Sequence, residues 1–386
     1  MPKLAPRGWQ LQAMEEWERV GHRGIISVVT GGGKTVFALS CIDKIRPAAT
    51  LIVVPTAALL DQWWAEAATY FDLDLDLDEI NVITGNKRFQ VGAINIAVLN
   101  TAAKLPERMA ELSCFLIVDE CHKAASEQFR SVLEVNTFAS LGLSATPERP
   151  YDEGLADVLV PALGPVIFNY DYAAALRDEV IVPFALNNIV FELEEDRQKE
   201  YEKLSRSIAR SISRFGPEAE ETIALFLKRA RVLNLSLNRV KLAIKLIAAN
   251  RGKRTLVFHE DIEACDLIHA VLTENGVKSG IYHSKLPLRA RALMLSQYRQ
   301  GVIDVLVTCR ALDEGFNVPE TELGIIAAST ATRRQRIQRL GRIVRPAKGK
   351  QGATIYTLVA TAPEIGRLKD EEAHLDGVVT VTWSKA

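Results

Sequence analysis

Six residues near the start of the chain restrict its fold more than any others. Thr30-Gly31-Gly32-Gly33-Lys34-Thr35 follow a continuous apolar run, Ile25–Val29, and open an amphipathic stretch, Thr35–Ile45. A strand that passes through a glycine turn into a helix is a building block of α/β sheets. Glycines there let backbone N–H groups close around an anion, and the helix N-terminus adds partial positive charge. The loop reads as a phosphate cradle. Thr30, Gly31, Gly32 and Gly33 would wrap the oxygens, Lys34 would reach β- and γ-phosphates, and the Thr35 hydroxyl would bind Mg2+. The full eight-residue pattern is not met, because Val28 stands where its first glycine falls.

The same alternation continues along the chain. Apolar runs at Leu51–Val54, Ile94–Leu99, Phe115–Val118 and Ser140–Leu143 are separated by helix-like segments such as Ala57–Tyr70. Continuous apolar strands between helices predict a parallel sheet covered on both faces. The pattern stops in the Pro- and Gly-rich stretch Tyr151–Pro165 and resumes at Thr255–Phe258, Ile303–Val307, Leu323–Ala328 and Ala353–Leu358. Two α/β lobes are expected, residues 1–165 and 166–386. Residues 194–250 are charged, helical in pattern and free of strand-like runs, so they are placed at the start of the second lobe. Asp72–Asp78, where Asp and Leu alternate, has the period of a short half-exposed strand, with an acidic surface connection as the plainer reading.

With 386 residues, the chain is long enough for two or three domains. Its 47 basic and 48 acidic side chains nearly cancel, so any polyanion-binding surface must come from local clustering. Five scattered cysteines without a C-x-x-C pair argue against structural zinc and for reduced thiols in the cytoplasm. Neither a secretory leader nor an apolar run of membrane-spanning length is evident, so no membrane partner is expected.

Two further patterns carry chemistry. Val118-Asp119-Glu120-Cys121-His122 ends an apolar strand with adjacent carboxylates. An aspartate there can hold Mg2+ through water, and the neighbouring glutamate can deprotonate an attacking water. Thr332–Lys350 is rich in Arg and Lys and contains no acid. Gln335, Gln338, Arg339, Arg342 and Arg345 recur there at helical spacing, which suggests guanidinium groups projecting from one face into a nucleotide site.

Together these motifs resemble the superfamily 2 helicases of the DExH type, and within them the XPB-like and UvsW-like DNA helicases and translocases. Arg7-Gly8-Trp9-Gln10 resembles the R-P-x-Q entry motif, which implies that Gln10, beside Arg7, reads adenine. Val54-Pro55-Thr56, with Leu59, Asp61, Gln62 and Trp63, resembles motif Ia. Asp119–His122 is the DExH box, spelled D-E-C-H, and Ser144-Ala145-Thr146-Pro147 resembles motif III. Thr308–Pro319 resembles motif V, centred on Asp313, Gly315 and Asn317, and Gln335–Arg345 resembles motif VI.

The resemblance implies two tandem RecA-like lobes, ATP and Mg2+ as cofactors, and an ATP hydrolase that moves along nucleic acid. Lys34, Asp119, Glu120, Arg342 and Arg345 would be catalytic. His122, Asp313, Gly315, Gln338 and Arg339 would join the nucleotide contacts and link the lobes. Pro55, Thr56, Gln62, Asn100, Thr101 and Thr308 would touch the nucleic acid. DNA is the expected partner and RNA the alternative, with a protein partner supplying a wedge or nuclease. A non-motor reading, an ATP-switched subunit of a larger repair or defence complex, stands beside it. Trp63 and Trp64 are candidates for base stacking or for packing. Arg206, Arg210 and Arg214 would form a contact face on the helical segment.

Overall fold

The computed structural model describes residues 5–71, 79–83, 91–107, 111–146, 154–309, 318–328, 333–372, 375 and 378–386. The chain divides into two compact units, Met1–Asp178 and Glu179–Ala386. The Asp72–Asp78 stretch lies outside the described residues.

The first unit opens with α1 (Gly8–Arg19), β1 (Arg23–Val28), α2 (Lys34–Ile45), β2 (Thr50–Val54) and α3 (Ala57–Tyr70). It continues through β3 (Ile80–Ile83), β4 (Ile94–Val98), the short α4 (Leu99–Ala102), β5 (Cys114–Asp119) and β6 (Thr137–Ser144). The turn α5 (Val160–Leu163), β7 (Val166–Tyr170) and α6 (Tyr172–Arg177) close it. Its seven strands lie in the order β3-β4-β2-β5-β6-β1-β7, all paired in parallel. Every residue of β2 and β5 is buried, which is why these segments read as unbroken apolar runs.

The expected boundary after residue 165 is corrected. Val166–Tyr170 pairs with β1 and completes the first sheet. Without it, the fully buried Ile25, Ile26 and Val28 of β1 would lie on an open edge. Gly164, at φ 102°, turns the chain back against β1 so closely that a Cβ there would sit 2.6 Å from the Arg23 carbonyl oxygen. The Pro and Gly residues that resembled a linker therefore build a tight turn.

The second unit begins with β8 (Phe184–Val190), followed by the helices α7 (Glu195–Phe215), α8 (Glu220–Asn234) and α9 (Leu237–Ala249) in the segment expected to be helical. Arg206, Arg210 and Arg214 are exposed along α7. Then come β9 (Thr255–His259), α10 (Ile262–Glu274), β10 (Ser279–Tyr282), α11 (Leu288–Gln300), β11 (Val305–Cys309) and β12 (Leu323–Ile326). The unit ends with α12 (Arg333–Ile343), β13 (Ala353–Val359), α13 (Ala362–Glu372) and β14 (Thr380–Lys385). The strand order is β10-β11-β9-β12-β13-β8-β14, again parallel throughout. Two parallel sheets flanked by helices make two tandem RecA-like lobes. Among the described residues no helix is long and apolar enough to cross a membrane.

A buried charge inside the second unit is paired. Arg239, on α9, is wholly buried; it pairs with Glu364 at 3.0 Å and donates to the Leu358 carbonyl. Glu364 also accepts from the backbone N–H groups of Ala360 and Thr361 and from the Thr361 hydroxyl. The pair thus ties α9 to the start of α13 across β13, with every added bond lowering the cost of burying the charges.

Candidate active site

In parallel α/β sheets, ligands gather where loops leave the carboxyl ends of the strands. The loops after five neighbouring strands of the first unit do so. Registers such as Val54 opposite Val98 and Asp119 opposite Leu143 bring the ends of β4, β2, β5, β6 and β1 side by side in that order.

The glycine loop joins β1 to α2. Gly33 caps α2 in a left-handed conformation, φ 100°, and Lys34 is the first helical residue. A Cβ on Gly32 would lie 2.5 Å from Val28 Cγ1, so the backbone passes where no side chain fits. Thr30 Oγ1 and Lys34 Nζ are both buried without a hydrogen-bond partner. A glycine loop with a buried ammonium and a buried hydroxyl that make no hydrogen bond fits a phosphate chain.

Opposite Lys34 stand the two carboxylates. Glu120 Oε1 lies 3.6 Å from Lys34 Nζ, and both side chains are nearly buried. Glu120 has left-handed backbone angles, φ 47° and ψ 49°, where the chain breaks out of β5. Such strain recurs at functional turns. Asp119 is fixed at both oxygens: Oδ2 accepts from the Trp63 indole N–H at 2.9 Å, and Oδ1 from the Glu120 backbone N–H at 2.9 Å. Burial, reinforced by the Glu120 charge, pushes the Asp119 carboxyl up to about 6. Two buried carboxylates facing one lysine leave surplus negative charge, which a divalent cation would neutralise. The donor set therefore fits Mg2+ held by Asp119 and Thr35.

His122 is 1% exposed; its Nδ1 lies 3.1 Å from Ser144 Oγ and 3.5 Å from Glu120 Oε2. Ser144 Oγ accepts from the Thr146 backbone N–H at 3.1 Å. A polar chain thus runs from Glu120 through His122 to Ser144 and Thr146; Pro147 lies outside the described residues. On the loop's other side, Gln10 donates to the Gly33 carbonyl at 3.0 Å and accepts from the Arg7 N–H at 2.7 Å, while Arg7 donates to the Gly32 carbonyl at 3.3 Å. The Gln10 amide keeps one donor and one acceptor for further bonds, the pair that glutamine offers to the N6/N7 edge of adenine.

The expected nucleic-acid contacts gather at the neighbouring strand ends. Pro55 and Thr56 follow β2, and Thr56 caps α3 by accepting from the Leu59 N–H. Gln62 lies on that helix and donates to Glu66. Asn100, exposed, and Thr101 lie on α4 after β4. Thr308 does not join them. It is 1% exposed, and its hydroxyl donates to the Val257 carbonyl at 3.0 Å, clamping β11 to β9. Its side chain serves as an internal brace of the second sheet.

In the second unit, α12 carries the arginine-rich motif. Arg336 pairs with Glu371; Arg339 pairs with Glu260 and covers the Phe258 ring at 5.4 Å. Arg339 is fully buried and braces α12 against β9. Arg336 went unread because its partner is remote in sequence. Arg342 is 4% exposed, and Arg345 is half-buried just beyond the helix. Lys350 donates to the carbonyls of Pro319, Ile343 and Arg345, fixing the chain that bears Arg345. Burial lowers the Lys350 ammonium to about 8. His259, at the end of β9, is held neutral near pH 7: burial, then the charges of Arg239 and Arg339, pull it down to about 3. Asp313, Gly315, Asn317 and the Gln338 side chain lie outside the described residues.

Comparison with known proteins agrees with this geometry. Residues 3–149 match the family model "Type III restriction enzyme, res subunit", and residues 238–347 match "Helicase conserved C-terminal domain". The "DNA 3'-5' translocase XPB2" of Sulfurisphaera tokodaii is 27% identical over 89% of this chain and 79% of its own length. The "DNA 3'-5' helicase XPB" of Kineococcus radiotolerans is 25% identical over 92% of this chain and 61% of its own. Among solved structures, "S. cerevisiae Dbp5 bound to RNA and ADP BeF3" superposes with a TM-score of 0.63 at 13% identity, covering 98% of this chain and 90% of that one, which speaks to the fold alone. The chain thus carries matches to two helicase-type family models and is similar to the XPB-type DNA helicases and translocases.

Lys34→Ala tests the cradle directly. Losing the buried ammonium is expected to weaken Mg·ATP binding about a hundredfold, the scale of a lost charge-assisted contact. Fluorescent-nucleotide titration of the folded variant measures it; unchanged affinity would remove Lys34 from the site.

Proposed function

We propose that the chain is an ATP-driven DNA translocase. Mg·ATP binds where β1 and β5 end in the first unit, and Arg342 and Arg345 of the second unit complete the site during hydrolysis. The observation that carries this reading is the meeting of Lys34, Asp119 and Glu120 at the carboxyl ends of the strands, beside the glycine loop.

Each residue has a distinct task in that reading. The loop N–H groups and Lys34 hold the β- and γ-phosphates. Glu120 accepts a proton from the attacking water as its oxygen bonds to the γ-phosphorus, and the bond to the ADP oxygen breaks. Thr35 and, through water, Asp119 would hold Mg2+, which would supply positive charge to the phosphate oxygens. Arg342 and Arg345 stabilise charge that builds only in the transition state. His122, Ser144 and Thr146 connect Glu120 to the neighbouring loop, so the state of the phosphates is felt along the sheet edge.

The polymer side follows from the adjacent strand ends. Pro55, Thr56, Gln62, Asn100 and Thr101 offer polar contacts suited to a sugar–phosphate track, which positions without reading sequence. DNA, tracked 3′ to 5′, is favoured by what the XPB-type relatives are named for. Separating long duplexes would fall to the chain together with a partner that blocks reannealing.

ATP turnover with single-stranded, duplex, forked and RNA ligands tests the reading. DNA should raise turnover about tenfold or more, with the stimulation falling steeply between 50 and 200 mM salt as counterions are released. Turnover indifferent to DNA, or raised only by RNA, would overturn it. On forks, a strict need for a 5′ tail would reverse the polarity.

A further inference from the structure

Trp63 is the seventh residue of α3 and is 1% exposed. A buried indole N–H needs an acceptor. Trp17 Nε1, for example, donates to a backbone carbonyl, that of Ser140, at 3.0 Å. Trp63 instead donates to Asp119 Oδ2, fifty-six residues away, at 2.9 Å. That oxygen belongs to the carboxylate expected to hold Mg2+ through water. The other oxygen is held by the Glu120 N–H, so the indole decides how the carboxylate is turned about its remaining axis.

The position of Trp63 gives the bond a second meaning. It adjoins Gln62 on the helix that Thr56 caps, and that helix grows out of β2 beside β5. One end of α3 therefore stands on the polymer-facing edge, while its middle grips the cation-holding carboxylate. Hydrogen bonds fail steeply with distance, so a shift of α3 by less than about 1 Å would release Asp119.

We propose that Trp63 is a positioning residue that carries DNA occupancy of α3 to Asp119. DNA on the first turn of α3 fixes the helix, the helix fixes the indole, and the indole fixes the carboxylate in the orientation that holds Mg2+. This rests on the function proposed above, in which α3 touches DNA. Stimulation of ATP hydrolysis by DNA then has a route that stays within the first unit.

The test is Trp63→Phe, which keeps an aromatic ring and loses the N–H. The ratio of DNA-stimulated to DNA-free kcat should fall about tenfold, while KM for ATP changes less than about twofold. Independently of turnover, the Mg2+ concentration that half-saturates binding of a fluorescent ATP analogue should rise about fivefold. An unchanged ratio would overturn the proposal, as would an equal fall in both rates with Mg2+ dependence unaltered, the signature of lost packing. If Trp63→Phe does not fold, 3-benzothienylalanine at position 63 preserves the bicyclic shape without the N–H and is judged by the same outcomes. A parent chain indifferent to DNA would overturn the translocase reading as well. A DNA-stimulated parent with an unaffected variant would overturn only the Trp63 route.

Discussion

Glu120→Gln is expected to hydrolyse ATP about a thousandfold more slowly than the parent chain while still binding Mg·nucleotide, the scale of lost general-base catalysis. The amide keeps the shape of the side chain and its place in the turn after β5, but it cannot take up a proton. Removing its charge also strips Lys34 of a counter-anion 3.6 Å away. The ammonium is then left to the phosphates, so nucleotide affinity should hold or rise. The variant should collect in an ATP-bound state on DNA. Single-turnover hydrolysis and fluorescent-nucleotide titration separate the two effects. If binding vanishes along with turnover in a folded protein, Glu120 shapes the turn and another group must be the base.

Arg342→Ala and Arg345→Ala should each lower kcat about a thousandfold and change the ATP KM little, because arginine fingers act mainly on the transition state. The second unit prepares both for such a task. Arg336 and Arg339 anchor α12 through Glu371 and Glu260, and Lys350 pins the Arg345 carbonyl. Arg342 is thus carried on an anchored helix and Arg345 on the pinned chain just beyond it. Steady-state ATP hydrolysis with and without DNA measures the effect. A loss confined to DNA affinity, with normal DNA-free turnover, would reassign this helix to phosphate gripping.

The interior strands were legible because burial on both faces writes them as unbroken apolar runs, as in Leu51–Val54 and Phe115–Val118. Strands near the sheet edges were not. Val166–Tyr170 is largely uncovered and Thr380–Lys385 alternates between exposed and half-buried residues, so neither accumulates the apolar run that marks a central strand. The nucleotide loop and carboxylate pair were legible because consecutive residues form them. Contacts between distant segments were not: no spacing rule could connect Trp63 to Asp119. The arginine helix shows a subtler loss. A step of three residues drifts by about 60° around a helix, so Arg339 and Arg345, six positions apart, need not share a face. Arg339 turns inward to Glu260, while the backbone beyond the helix presents Arg345.

The order of the first sheet has a consequence for how such a machine can diversify. In the proposed reading, the first sheet places its share of the fuel chemistry on the loops after β1, β5 and β6, and the grip on the polymer on those after β2 and β4. Natural variation in the gripping loops can retool the substrate while leaving combustion intact, provided the α3 linkage survives. Engine and wheels are thus separate parts on a common axle, the buried strand β5.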